Sequence, residues 1–438
     1  MHARAHSLMR YDRCVTIHNA NCSTLPRAPD FRERSSERKA KFASSDCRGV
    51  SDVTGSSSFT KSEFLSRIEK LRAGMRRHRL DAILLGTGMN LQYFSSFPSP
   101  QRNVARPFFL LIPIIRDPIL LCHTGLADEG RRLSVIEDVR AYEGLSQAPV
   151  RMISSLLTEV SAHAGRIGME LGFEQTLDIS LLEFDRLRSS LPAAELTDAA
   201  KLLWSLRTIK SEAEIASVRT ACQIVEESYS HTFKSAHAGM REREIYQAML
   251  DGLSDRGRDT FLAITSGSGN YDLVSKPPDE RLVQQGDLVW MDAGCRVAGY
   301  WSDYSRAAVM GEPSALQTQA QEAIHEITMA AVQQVRPGLR CSQIAQFCLD
   351  RLTGLPFPIT SSIALRAGRI GHGIGLNMTE PPHLSLQDET LLQPGMIVSI
   401  EPGVATEYGT FHVEENVVVR EHGCELLSTA PRQLVPII

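Results

Sequence analysis

Asp292, Asp303, His372, Glu401 and Glu414 lie in the last third of the chain, each in a short context that presents an acid or imidazole from a strand or a tight turn. Four carboxylates and one imidazole suit a pair of hard or borderline divalent cations, with oxygen donors bridging and a nitrogen closing one side. Two cations held in this way share a hydroxide near neutral pH and polarise a carbonyl, which is the chemistry of a two-metal hydrolase.

Each residue also has a plainer reading. Asp292 follows Val289-Trp290-Met291 inside an apolar strand, where an unpaired carboxylate is costly. Asp303 lies on the second arm of the same expected hairpin, so the two side chains meet if they share a face. The plain alternative is a pair of turn aspartates, with Gly294 and Ser302 close by. His372 stands in Gly371-His372-Gly373-Ile374-Gly375, where flanking glycines let the backbone turn tightly and leave the imidazole bare. No strand-then-helix context follows, so a phosphate loop is rejected. A lone turn histidine is more often structural, and only its company reverses that. Glu401 ends an apolar strand before Pro402-Gly403, and Glu414 precedes the run Val417-Val418-Val419. Successive strand residues face opposite sides, so only one of Glu414 and Glu415 enters a core site.

The elements that must position these residues follow from length and pattern. A chain of 438 residues implies two globular domains plus extra segments. Hydrophobic residues at 42%, charged residues at 22% and a net charge of −4 give no reason to expect nucleic acid or an anionic membrane as a partner. The apolar stretch Pro107 to Pro118 is too short to span a bilayer. Nine cysteines without a C-x-x-C pair fit a reducing, cytoplasmic compartment rather than a disulfide framework, and Cys341 with Cys348 reads as packing. Residues 1–58 are rich in Arg, Ser and Ala without apolar periodicity, and read as a disordered or non-native extension. Their acids argue against a transit peptide.

Order is expected from Thr60. Phe64, Ile68, Leu71 and Met75 mark an amphipathic helix, and Ala82 to Leu85 a buried strand. Strands at 108–115 and 119–122 continue an α/β pattern to about Ala193. A long amphipathic helix is expected over 211–236, with the domain boundary at 203–210. Beyond it, helices over 314–335 and 342–352 are segregated from strands at 287–293, 300–310, 396–400 and 412–420, which gives an α+β half.

The order Asp, Asp, His, Glu, Glu resembles the family of methionine aminopeptidase, aminopeptidase P, prolidase and creatinase. The likeness rests on Met291-Asp292-Ala293-Gly294, Gly299 to Arg306, Gly371 to Gly375, Leu392 to Gly403 and Glu414 to Val419, with Asp292 and Asp303 eleven positions apart. Phe64 to Phe97 is similar to the start of a creatinase-type N-terminal domain, and Leu206 to Glu214 to its linker. The resemblance implies a smaller α/β creatinase-type domain over 59–202, then a pita-bread catalytic domain over 203–438, usually in a homodimer. It also implies metal ligation by all five residues: Asp292 on one ion, Asp303 and Glu414 bridging, His372 and Glu401 on the other. Glu401 would also take a proton from the bridging water, with His372 beside it in the catalytic set. Manganese is the metal expected from the family, with cobalt, zinc and iron compatible.

The family pattern breaks at two positions. Its peptidases carry a histidine seven residues after the ligand histidine and another eleven before the Gly-Asp that opens the first ligand strand. Here those positions hold Thr379 and Ser275. Both can donate hydrogen bonds, and neither carries a proton at neutral pH. Lys276, His383 and His412 are the candidate substitutes, the last as a support for the metal ligands. The leading expectation is a two-metal hydrolase cleaving an amide next to proline in a small peptide. Beside it stand a creatinase-like hydrolase or lyase acting on a small non-peptide, and a non-catalytic binding module of the same fold.

Overall fold

The computed structural model describes residues 59–98, 105–145 and 147–438. The extension expected over 1–58 lies outside the described residues. The first helix, Lys61–His78, is capped by the Thr60 side chain and buries Phe64, Ile68, Leu71 and Met75, one face of a 3.6-residue period. Strand Ala82–Leu85 is buried at every position. It pairs antiparallel with Phe109–Pro113 and parallel with Arg166–Met169, so both of its edges are covered. Ile119–His123 and Asp138–Tyr142 extend this six-stranded sheet on one side, and Glu195–Asp198 on the other.

Helix Ala200–Arg207, with Leu202, Leu203 and Trp204 all buried, ends inside the expected boundary segment 203–210. Helix Glu212–Ser235 then begins with a capping box, in which Ser211 and Glu214 satisfy each other's backbone N–H groups.

The second half is built on strand Leu288–Val297, which lies between Thr260–Ser266 and Tyr304–Met310. Strand alternation gives it two faces. Val289, Met291, Ala293 and Cys295 join the core that contains helix Glu212–Ser235. Leu288 and Trp290 join the core of helices Ala315–Gln334 and Cys341–Leu352, where Cys341 and Cys348 are fully buried. Asp292 shares the parity of Leu288 and Trp290, so it is aimed into the layer between sheets. Ala298 and Gly299, with φ of 51° and 94°, make the two-residue turn that suits a tight hairpin.

Two further sheets close over that layer. One orders Glu380–His383, His372–Gly373, Ile397–Ile400, Glu415–Arg420 and Gly423–Leu426; the other orders Ser361–Ser362, Gly403–Thr406 and Gly409–His412. The single strand expected over 412–420 is therefore two. Gly409–His412 pairs with Gly403–Thr406, whereas Glu415–Arg420 pairs with Ile397–Ile400. The chain changes sheets at Val413-Glu414, since the partner strand itself breaks at Glu401-Pro402. Among the described residues no helix is long and apolar enough to cross a membrane.

A buried ionic cluster fixes strand Glu380–His383 beside His372. Glu380 accepts from Arg207 Nη2 and Lys210 Nζ, each at 2.8 Å, with all three side chains at most 2% exposed. Arg207 also donates to Asn90 Oδ1 at 2.9 Å and Asn377 Oδ1 at 3.0 Å. Burial alone would raise the Glu380 pKa, but Lys210 and then Arg207 hold it below its ordinary 4.5. A depressed carboxyl stabilises the fold above its unfolded pKa and loses that contribution as pH falls through the folded one. Glu380→Gln, which strands two buried cations, is expected to cost about 3–5 kcal/mol near neutral pH. Urea unfolding of both proteins checks this, and the gap should narrow below the ordinary carboxylate range.

Candidate metal centre

Asp292 stands opposite Ser305 in the ladder between Leu288–Val297 and Tyr304–Met310. Asp303, two residues before Ser305, is thus its diagonal neighbour on the same face, a separation two facing carboxylates can close. The Asp303 backbone is fixed by Asn416, whose Oδ1 accepts from Asp303 N at 3.1 Å and whose Nδ2 donates to the Asp303 carbonyl.

Glu414 occupies the sheet-switch position. Its carbonyl accepts from Arg306 Nη1 at 2.9 Å, and its Oε1 accepts from Ser399 Oγ at 2.5 Å. Glu415 turns the other way, to Arg306 at 2.7 Å and Arg432 at 2.8 Å. The alternation thus sends one glutamate to each side.

His372 is not bare in a turn. It lies in a two-residue strand and is 2% exposed. Its glycines serve close approach: a Cβ on Gly371 would lie 2.0 Å from the Ser399 carbonyl, and one on Gly373 would lie 2.4 Å from that of Pro381. His372 Nδ1 donates to the Gly373 carbonyl at 3.0 Å, which leaves Nε2 as the acceptor. That nitrogen sits 3.6 Å from Asp303 Oδ2 and 3.6 Å from Glu401 Oε1. The ligand atoms of Asp303, His372 and Glu414 all lie within 4.8 Å of one another, as do those of Glu401, His412 and Glu414.

The electrostatics follow from crowding. Burial raises Asp292 to about 6, and burial raises Glu401 to about 8 against the opposing charge of Arg369. Asp303 and Glu414 are pushed well above the carboxylate range by burial and then by their acidic neighbours. Burial lowers His372 to about 3, so its imidazole stays neutral. Asp292 Oδ1, Asp303 Oδ1 and Glu414 Oε2 are buried without any hydrogen-bond partner. Orphaned anionic oxygens beside a bare imidazole nitrogen fit divalent cations, which supply charge and occupy lone pairs together.

His412 supports this group. Its Nε2 lies 3.0 Å from the Glu401 carbonyl and its Nδ1 3.1 Å from Ser305 Oγ, while the Ser305 hydroxyl donates to the His412 carbonyl at 2.9 Å, so the ring is held on both sides. The remaining substrate candidates are dispersed. Ser275 is exposed. Lys276 is bonded to the buried carboxylate of Glu242 and does not face the acids; its partner lies 34 residues upstream and meets it only in the fold. His383 pairs with His372 through the backbone, but its ring turns to Glu174 Oε1 at 2.6 Å and to Phe173. Thr379 accepts from Arg369 Nη2 at 3.4 Å. Arg369, Ser399 and Asn416 belong to this region and were not anticipated. A lone serine inside the apolar strand Ile397–Ile400 was a usable signal for Ser399, whereas no local pattern marks Arg369.

The description "Metallopeptidase family M24" matches residues 216–421, and "Creatinase/Prolidase N-terminal domain" matches residues 67–209. The chain is 28% identical over 271 residues to a Xaa-Pro dipeptidase of Pyrococcus furiosus, covering 60% of this chain and 75% of the relative. It is 24% identical to an uncharacterized peptidase of Bacillus subtilis, over 84% of this chain and 99% of the relative. Among solved structures, an X-Pro aminopeptidase from Thermotoga maritima superposes with a TM-score of 0.73 at 21% identity, over 84% of this chain and 99% of that one. The prolidase from Pyrococcus horikoshii gives 0.71 at 22% identity, over 84% and 100%. These likenesses give the pita-bread architecture of the second half.

A carboxyl whose folded pKa exceeds its unfolded one binds more protons when folded, so its cost appears as pH rises between the two values. The metal-free chain should therefore lose thermal stability from the ordinary values of 3.8 and 4.5 up through about 6 for Asp292 and about 8 for Glu401. Melting curves across that range are expected to show the decline. Saturating divalent cation should abolish it, and Glu414→Gln should lessen both the decline and the rescue.

Proposed function

Since the chain belongs to metallopeptidase family M24, with a creatinase/prolidase domain ahead of the catalytic one, we propose that it is a two-metal hydrolase of the Xaa-Pro aminopeptidase or dipeptidase type. The observation that carries this reading is the convergence of Asp292, Asp303, His372, Glu401 and Glu414 around buried oxygens that have no other partner. Asp303 and Glu414 would hold both cations, Asp292 one, and His372 with Glu401 the other. When bound, such a pair supplies an acidified shared water and polarises the scissile carbonyl.

The chain's own residues then have definite tasks. Glu401 is 17% exposed, against 7% for Asp303, and we assign it to take the proton of the attacking water and return it to the leaving nitrogen. His412 orients Glu401 by holding its backbone carbonyl. His372 stays neutral, and its Nδ1 hydrogen bond to Gly373 keeps Nε2 facing inward. Relatives named Xaa-Pro dipeptidase support proline as the residue beyond the scissile bond. Manganese, a homodimer, a reducing cytoplasmic setting, and working domains over 59–202 and 203–438 complete the proposal.

Thr379 and Ser275 favour a second reading, a metal-dependent hydrolase or lyase acting on a small non-peptide, because neither can shuttle a proton as an imidazole does. A third, a non-catalytic binding module, fits poorly with a complete set of acidic ligands. Assay of manganese-loaded protein on a Xaa-Pro dipeptide panel decides between them. Turnover is expected, with kcat lowered by about 10²–10⁴-fold in Glu401→Gln. Intact dipeptides together with consumption of an amidine, lactam or betaine would establish the second reading.

A further inference from the structure

The proposed chemistry leaves two buried side chains behind the metal centre without a task, Tyr229 and Tyr304. Their setting begins with the aspartates. Asp292 Oδ1 and Asp303 Oδ1 have no hydrogen-bond partner among the described residues, so the backbone must set where these oxygens lie. Asp292 sits inside the ladder, opposite Ser305. Asp303 lies just outside it, because strand Tyr304–Met310 begins one residue later. The ladder therefore fixes one aspartate and leaves its offset from the other open.

Tyr229 closes that offset. It belongs to helix Glu212–Ser235 and packs in the core with Met291 and Ala293, on the face of the strand opposite to Asp292. Its hydroxyl lies 2.8 Å from the Met291 carbonyl and 3.1 Å from the Tyr304 carbonyl. Met291 precedes Asp292 and Tyr304 follows Asp303, so one hydroxyl proton is shared by the two chain segments that carry the ligands. Tyr304 returns the tie. Its own hydroxyl donates at 2.8 Å to the carbonyl of Cys222, about two helical turns before Tyr229. The two rings pack 5.9 Å apart at 52°. Cys222 also reaches Asp303 by a second route: its Sγ donates to Asn416 Oδ1 at 3.5 Å, and Asn416 holds the Asp303 backbone on both sides.

We propose that Tyr229 is a positioning residue for the metal pair, whose hydroxyl sets the offset of Asp292 from Asp303 and so tunes the affinity of the cation these two aspartates share. This rests on the two-metal reading and deepens it. The other cation feels the offset less, because His372 lies in the sheet of Ile397–Ile400 and Glu401 adjoins it, and neither belongs to this hairpin.

Calorimetric titration of manganese into the cation-free chain, read beside the electron paramagnetic resonance of the loaded pair, tests this without bond cleavage. Wild type is expected to take up two cations. Y229F keeps the ring and removes only the hydroxyl. In it one cation is expected to weaken by about three- to tenfold, the scale of one net hydrogen bond, while the other changes less than about twofold. The exchange-coupled manganese spectrum should change as well, since the spacing of the pair follows its shared ligands. Y304F, which removes the return tie, shows a smaller loss at the same cation. Y142F is the control. The Tyr142 hydroxyl donates to the Pro107 carbonyl at 2.7 Å in the first half, so its removal lowers the melting temperature and leaves both affinities unchanged. A Y229F chain that melts earlier yet binds both cations as wild type does would make Tyr229 purely structural and overturn the proposal, as would equal weakening of both cations. Wild type binding fewer than two cations would overturn the two-metal reading and the proposal with it. An asymmetric loss in Y229F, in a chain that cleaves no Xaa-Pro dipeptide, would overturn the peptidase reading and leave the positioning role standing.

Discussion

Crowding four carboxylates together away from water is the constraint on which this structure turns. Asp292, Asp303, Glu401 and Glu414 are each shifted upward by burial, Asp303 further by Asp292 and Glu401, and Glu414 further by Asp303, Asp292 and Glu401. No lysine or arginine is bonded to the carboxylates of Asp292, Asp303 or Glu414 among the described residues, and Arg369 only approaches Glu401. Elsewhere in the same fold buried acids are paired closely, as Glu380 is with Arg207 and Lys210, and Glu415 with Arg306 and Arg432. The contrast separates acids that hold the fold from acids kept in reserve for an external charge.

The framework supplies that reserve through backbone geometry. The ladder opposite Ser305 brings Asp292 diagonal to Asp303, and the change of sheet at Val413-Glu414 turns one glutamate inward while its neighbour braces the outside. Gly371 and Gly373 let three strands approach closely enough for the His372 imidazole to reach the acids. The Glu380 cluster then locks strand Glu380–His383 to Arg207 and, through Arg207, to Asn90 of the first half, so the wall of the site is held by both halves.

Much of this was legible in the sequence, for identifiable reasons. Acids embedded in apolar strands, such as Asp292 after Val289-Trp290-Met291, carry a solvation cost that demands explanation wherever they occur. Helical spacing at Phe64, Ile68, Leu71 and Met75, and the Ser211-to-Glu214 spacing of a capping box, are local signals, and both elements formed. What escaped is set by contacts distant in sequence. The break of the expected strand at Val413 depends on its partner strand breaking at Pro402. Lys276 was drawn to Glu242, and His383 to Glu174, by partners in other elements. Arg369 has no periodicity to mark it and gains meaning only once Thr379 and Glu401 flank it.

The central claim is that these acids hold protons until cations replace them, and metal titration into the cation-free chain in two buffers of different ionisation enthalpy measures that exchange directly. Near pH 7, binding of manganese is expected to release roughly one or more protons per chain, with the number rising as the pH is lowered. Binding with no proton release, or no binding at all, would contradict the account.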